Sequence, residues 1–337
     1  MTAALRQLWP ATGGRRAREG TGTHSDLPAA SLATRAVRRR RRVVAARAVR
    51  RVQGGWQPAV ASSLSLLALV LFAFVINVTV IGAVEHARSQ RVAYAELREQ
   101  LSAVTAPVGQ VDAAGQLLAL GTPVAYLTIP GLGLEREVVF EGTSAQVLAK
   151  GPGHRRSSVL PGQAGVAVLY GRGWSHGGPF GGAADLSVGA PITVTTGQGE
   201  HSYRVTGVRK DGSPIPPPPN ASQGGGRLTL VTAVGAPFAP SGTVYVDADL
   251  TSTAAVAAPR ILGAAGLLPS EEALASDRTA WPAVALMMQA LALCSIAIAV
   301  ATRRWGRPQA WLVGVPVLAL TATLASRQVM RLLPNLL

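Results

Sequence analysis

The stretch from Val60 to Val84 carries no charged side chain, and about 20 apolar residues are enough for a helix to cross the hydrocarbon core of a bilayer. A segment in that environment must satisfy its own backbone hydrogen bonds, which restricts it to a helix. Two further apolar runs follow near the other end, Trp281 to Ala301 and residues 309–326. The sequence therefore predicts three transmembrane helices, with the water-facing fold confined to what lies between the first and second. The first is read as a retained signal anchor, because a cleaved signal peptide has a short basic leader and an apolar core of about 7 to 15 residues. The third contains Gly314 and Pro316, and a re-entrant or interfacial helix is its alternative reading.

Charge sets the expected orientation. Residues 1–57 hold 13 Arg against Glu19 and Asp26, and basic flanks stay cytoplasmic. Arg303, Arg304 and Arg307 between the second and third apolar runs are placed on the same side. This leaves Glu85 to Asp277 outside, with Arg327 and Arg331 on the less favoured side. The expected location is the plasma membrane of a Gram-positive-type bacterium, N-terminus cytoplasmic. The arm 1–57 is too polar to offset its ordering entropy and reads as disordered. Its run Arg38 to Arg42 is a topology signal or, alternatively, a contact for anionic lipid or nucleic acid.

Between Glu85 and Asp277 there are 13 Lys or Arg and 15 acidic residues. A near-neutral domain lacks the clustered basic surface that phosphate binding needs, so no nucleic-acid partner is expected for the folded part. The chain has one cysteine, Cys294, inside the second apolar run. That excludes an intrachain disulfide and any Cys-rich metal site. The histidines at 24, 86, 154, 176 and 201 show no ligand-type spacing, and neither a metal nor another cofactor is predicted.

Residues 85–121 read as a helical stalk, with Leu97, Leu101 and Val104 at helical spacing, followed by a Gly- and Ala-containing linker. From Thr122 the texture changes to short β-branched runs punctuated by Gly and Pro. Seven strands are predicted: Ala125–Ile129, Glu137–Phe140, Gly165–Tyr170, Pro191–Thr195, Ser202–Val208, Arg227–Ala233 and Thr243–Asp249. Short strands with turn signals between them indicate a mainly β fold, a compact barrel or sandwich over residues 122–250. Residues 251–280 are a second linker.

The order of motifs in this region resembles the sortase family, the cysteine transpeptidases of Gram-positive cell surfaces. It runs from Leu127-Thr128-Ile129-Pro130 through Val138-Val139-Phe140-Glu141-Gly142-Thr143 to Leu148-Ala149-Lys150-Gly151-Pro152-Gly153-His154 and Leu160-Pro161-Gly162-Gln163-Ala164-Gly165. The third piece is similar to the L-x-x-G-P-G-H of class D and E members. Each motif alone is a turn signal, and their order and spacing carry the likeness. The resemblance implies a closed sortase-like β-barrel with a groove that holds a peptide, and a Cys, a His and an Arg that perform the chemistry.

Those three positions read differently here. The family's histidine strand, N-V-V-I-A-G-H-R, is matched by Val166-Ala167-Val168-Leu169-Tyr170-Gly171-Arg172-Gly173. This puts Arg172 at the histidine position, and a guanidinium stays protonated near neutrality. The cysteine strand T-L-x-T-C is matched by Thr229-Leu230-Val231-Thr232-Ala233, which leaves Ala233 where the nucleophile would be. The downstream Arg falls near Thr243, and no Arg occurs between Arg227 and Arg260. His176 lies four residues past Arg172 and is a relocated proton carrier or, more simply, an exposed loop histidine. The expected groove consists of Arg172, His176, Thr232, Ala233 and Tyr245. The loop Gly212 to Arg227, with four consecutive prolines, is a partner-binding ledge or a plain surface loop.

The leading expectation is a non-catalytic sortase-fold protein that binds a sorting-signal-like peptide, a cell-wall component or a sibling membrane protein. The alternatives are an active cysteine-independent transpeptidase or hydrolase, and a structural subunit of a membrane complex.

Overall fold

A computed structural model describes residues 71–237 and 239–337. The basic arm and the first part of the first apolar run lie outside them. Eight strands close into one barrel: β1 (Pro123–Ile129), β2 (Leu134–Glu141), β3 (Gly153–His154), β4 (Gly165–Tyr170), β5 (Pro191–Thr196), β6 (Gly199–Lys210), β7 (Gly226–Ala236) and β8 (Ala239–Leu250). Their order around the barrel is β1-β2-β3-β4-β7-β8-β6-β5, and β5 pairs back onto β1. Most neighbours are antiparallel, while β2 with β3 and β4 with β7 are parallel. The strand absent from the sequence reading is β3, two residues long and lying within the Gly-Pro-Gly-His turn, too short to show an alternation.

Alternation fixes which side chains face inward. Leu127 and Ile129 of β1, Leu169 of β4, Ile192 and Val194 of β5, Leu228 and Leu230 of β7, and Val244 and Val246 of β8 form one fully buried core. Each such side chain contributes roughly 1.5–3 kcal/mol relative to exposure.

Three helical segments, Leu71–Ser102, Arg278–Ile298 and Pro308–Leu332, are long and apolar enough to cross a membrane. The first includes a π-helical turn at Asn77–Ile81 and continues as α1 (Gly82–Ser102). After the short α2 (Ala145–Leu148), α3 (Trp281–Arg304) and α4 (Arg307–Leu332) pack together as a hairpin turning at Gly306, where φ is +95°. Arg327 and Arg331, unfavourably placed on sequence grounds, are paired: Arg327 with Glu85 of α1, and Arg331 with Asp277, its Nε donating over 3.1 Å.

The helix α1 is packed on the barrel. Ala93 and Leu97 are buried against Val138 and Phe140. The Gln90 amide closes the contact: the Val138 amide donates to Gln90 Oε1 at 2.6 Å, and Gln90 Nε2 donates to the carbonyls of Val138 (3.1 Å) and Lys150 (3.0 Å). Alanine at position 90 leaves these backbone groups unpaired, and an unsatisfied buried group costs about 1–3 kcal/mol. Gln90→Ala is therefore expected to lower barrel stability by about 2 kcal/mol, read as a drop in melting temperature of the full chain in lipid nanodiscs. A melting temperature equal to wild type refutes the clamp.

Candidate functional site

The site forms where β4 and β7 end side by side. Tyr170 pairs with Val231, and the Gly171 amide donates to the Val231 carbonyl at 3.0 Å. Position 171 must be glycine, because a Cβ there would lie 2.2 Å from the Phe180 ring. Phe180 is fully buried and its amide donates to the Arg172 carbonyl at 3.1 Å. The chain between Gly171 and Phe180 is thus a closed loop whose first side chain, Arg172, is turned into the protein.

Only 1% of Arg172 is exposed. Its Nη1 donates to Ser175 Oγ at 2.8 Å and to the Leu337 backbone oxygen at 3.1 Å, and its Nη2 donates to the Ala145 carbonyl at 2.7 Å. Among the described residues no carboxylate side chain pairs with it, and its buried Nε has no partner. Burial lowers its pKa from the ordinary arginine range to about 10, so the group remains a cation at neutral pH and serves as a donor to oxygen atoms. Ser175 Oγ donates to the Leu337 oxygen while accepting from the guanidinium. A hydroxyl flanked by a guanidinium has no base to activate it.

Ala233 lies beside the backbone that follows Arg172. A Cβ added to Gly173 would sit 3.0 Å from the Ala233 carbonyl and 3.6 Å from Thr232 Oγ1. Arg172, Thr232 and Ala233 are therefore brought together. Thr243 pairs with Ala233 across the β7–β8 ladder, but its side chain is committed elsewhere: the Thr243 amide donates to Asp211 Oδ2 at 2.8 Å, and its hydroxyl bonds Asp211 Oδ1. The Tyr245 hydroxyl donates to the same carboxylate at 3.2 Å, and Arg209 lies 4.3 Å above the Tyr245 ring. These bonds, those from Thr243 first, hold the Asp211 carboxyl below its ordinary range.

Outward-facing Tyr170, Val231 and Ala233 form a small apolar floor with Leu148, and Val168 and Tyr245 pack at its edge. Burial pushes the Tyr170 hydroxyl up to about 12.

His176 is buried rather than exposed. With φ at +52° it turns its ring back onto the first helix, where a Cβ at Gly82 would lie 3.3 Å from the imidazole. Burial, then the Arg172 charge, then His86 lower its pKa to about 3. It is a neutral packing ring.

The family model for the Sortase domain matches residues 127–250. The matched stretch runs from Leu127 in β1 to Leu250 at the end of β8, so the barrel is similar to a sortase domain. Similar solved structures include a Clostridium perfringens sortase D5 transpeptidase at 20% identity, covering 49% of this chain and 99% of that one with a TM-score of 0.39. Sortase E from Streptomyces avermitilis is 28% identical over 40% of this chain and 92% of its own, TM-score 0.33. Sortase A from Corynebacterium diphtheriae is 18% identical over 48% and 84%, TM-score 0.34. No curated protein matches the chain.

The barrel contains a Ser-His-Glu constellation that sequence reading passed over. His154 Nδ1 lies 2.8 Å from Glu141 Oε2, and its Nε2 lies 3.0 Å from Ser158 Oγ and 2.9 Å from the Val159 carbonyl. A carbonyl only accepts, so Nε2 carries a proton and cannot take one from Ser158. The Ser158 hydroxyl donates to the Arg155 carbonyl at 2.8 Å and accepts from the Val168 amide at 3.1 Å. All three side chains are buried, and they bind β2, β3 and β4 together. Sequence reading also missed Ala145 and Leu337, whose place beside Arg172 had no local signal.

Proposed function

We propose that this protein is a membrane-anchored sortase-fold protein that works without sortase catalysis, its barrel held outside the cytoplasmic membrane of a Gram-positive-type cell to bind a cell-surface peptide or protein partner. The observation that carries the reading is Arg172: a fully buried cation bonded only to oxygen atoms, beside an alanine, where the family resemblance calls for a proton carrier beside a thiol. Arg172 stands for the histidine and Ala233 for the cysteine in that resemblance. The only cysteine in the chain, Cys294, belongs to α3. A guanidinium cannot relay a proton at neutral pH and a methyl group cannot attack a carbonyl. Arg172 can hold a peptide carbonyl over an apolar floor, which is recognition.

Three apolar helices suit a fixed anchor, and the pairing of Arg327 and Arg331 at the barrel end supports the proposed orientation. Once neutralised by Glu85 and Asp277, these cations no longer oppose the placement given by the Arg303–Arg307 turn.

The full chain in nanodiscs, incubated with a threonine-containing sorting peptide and an amine nucleophile, is expected to give no product above a heat-killed control. Product that disappears in His176→Ala overturns the reading in favour of relocated catalysis.

A further inference from the structure

The five residues after α4, Leu333–Leu337, lie in the Arg172 site. Asn335 is completely buried, its Nδ2 donating to the carbonyls of Thr143 (2.8 Å) and Glu272 (2.9 Å). Its backbone amide donates to the Ala275 carbonyl at 3.0 Å. Leu336, also fully buried, completes the apolar cluster of Leu148, Tyr170, Val231 and Ala233. The Gly173 amide donates to the Leu336 carbonyl at 3.0 Å, and the Leu337 oxygen accepts from Arg172 and Ser175. A side-chain pocket, a carboxamide read by two carbonyls and a clamped main-chain oxygen are how a protein holds a peptide ligand.

We propose that Leu333–Leu337 is a resident intramolecular ligand of the Arg172 groove, closing it to peptides in trans until it is displaced by one of the same chemistry: an apolar segment with a carboxamide side chain followed by leucine. The inference rests on the binding reading above and names the ligand class for that groove. Two observations favour occupancy. Without the segment, Arg172 Nη1 keeps only Ser175, and a buried cation losing an acceptor is costly. The segment is also held in place from its helix, since the Asp277 amide donates to the Arg331 carbonyl at 2.8 Å and Arg331 pairs with Asp277. A short tether of this kind presents its segment at an effective concentration of about millimolar. A competing peptide must overcome that, and any shift of the barrel end of α4 alters access to the groove.

Hydrogen exchange on the full chain in nanodiscs reads the contact. In wild type the amides of Gly173 and Asn335 are expected to exchange about 100-fold slower than an open chain. Leu336→Asp is expected to speed Gly173 exchange about tenfold, with protection of Leu228–Thr232 and Val244–Ala248 retained as proof of an intact barrel. If those strands also open, Asn335→Ala provides the same reading from outside the apolar cluster. Unprotected Asn335 in wild type, or Gly173 protection unchanged in both variants, overturns the proposal.

A labelled, amidated Leu-Leu-Pro-Asn-Leu-Leu peptide supplies the second arm. It is expected to bind Leu336→Asp about tenfold more tightly than wild type, and not to bind when Arg172→Glu is added. Equal affinity for wild type and Leu336→Asp overturns closure while leaving a binding groove. A protected segment in wild type with no peptide binding to Leu336→Asp overturns the binding reading instead, and leaves the segment as a structural strap.

Discussion

Replacing Glu141 by alanine is expected to lower the unfolding free energy of the barrel by about 3–5 kcal/mol, the cost of removing one partner from a buried ion pair. Glu141 and His154 are 2% and 1% exposed, so solvent does not take over the lost contact. Both imidazole nitrogens face acceptors, the Glu141 carboxylate and the Val159 carbonyl, and a ring in that position holds two protons. Burial acts to lower the His154 pKa, but the Glu141 charge, its hydrogen bond and the Val159 carbonyl outweigh it, and the net direction is upward. A raised folded pKa contributes stability that is fully present below the unfolded value of about 6.5 and is lost as pH rises through the folded value. The Glu141→Ala penalty should therefore be largest near pH 6 and shrink in alkali. Thermal melts followed by near-ultraviolet circular dichroism in nanodiscs measure it. A penalty below about 1 kcal/mol at pH 6 contradicts the buried pair. Replacing both partners by apolar residues should recover most of the loss, since the penalty comes from the stranded charge.

The second large effect has the opposite sign in pH. His176 is neutral when folded, its pKa lowered to about 3 by burial, by Arg172 and by His86, whereas the unfolded chain takes up the proton below about 6.5. Folded stability should fall as pH drops from about 6.5 towards 3, by up to about 1.4 kcal/mol per unit from this residue. His201 shifts in the same direction, through burial opposed by a hydrogen bond to Thr253. Replacing His176 by glutamine is expected to flatten that part of the profile while leaving the alkaline side unchanged. An acid slope identical to wild type shows that His176 is not the proton acceptor. Together the two histidines set a stability maximum near neutrality, with His154 limiting the alkaline side and His176 the acid side.

Much of the fold is legible in the chain because local physics writes it there. The uncharged runs can exist only as helices in a bilayer, and alternation in Tyr203-Arg204-Val205-Thr206 or Thr243 to Ala248 leaves one inward face. Gly171 lies in the strand matched to the family's histidine strand, and the structure gives the reason for a glycine there: the Phe180 ring occupies the space a side chain at 171 would fill. The two-residue β3 was missed because pairing with β2 and β4 makes it a strand, and no periodicity exists over two residues. His176 was misread as exposed for a related reason. Its burial is supplied by Gly82, 94 residues earlier, and a loop of Gly, Ser and Trp carries no sign that a helix will cover it.

By itself, then, the sequence determined the barrel, the long apolar helices and the residues at its strand ends, since hydropathy, alternation and turn chemistry act over a few neighbouring positions. The surroundings of Arg172 were decided only in three dimensions. Arg172 is sequence-legible as a cation, but its acceptors come from Ala145, Ser175 and Leu337, and the last of these is 165 residues away. Contacts across such a separation depend on where α4 returns to the barrel, through the pairs Glu85 with Arg327 and Asp277 with Arg331. Long-range closure leaves no periodic trace in the chain.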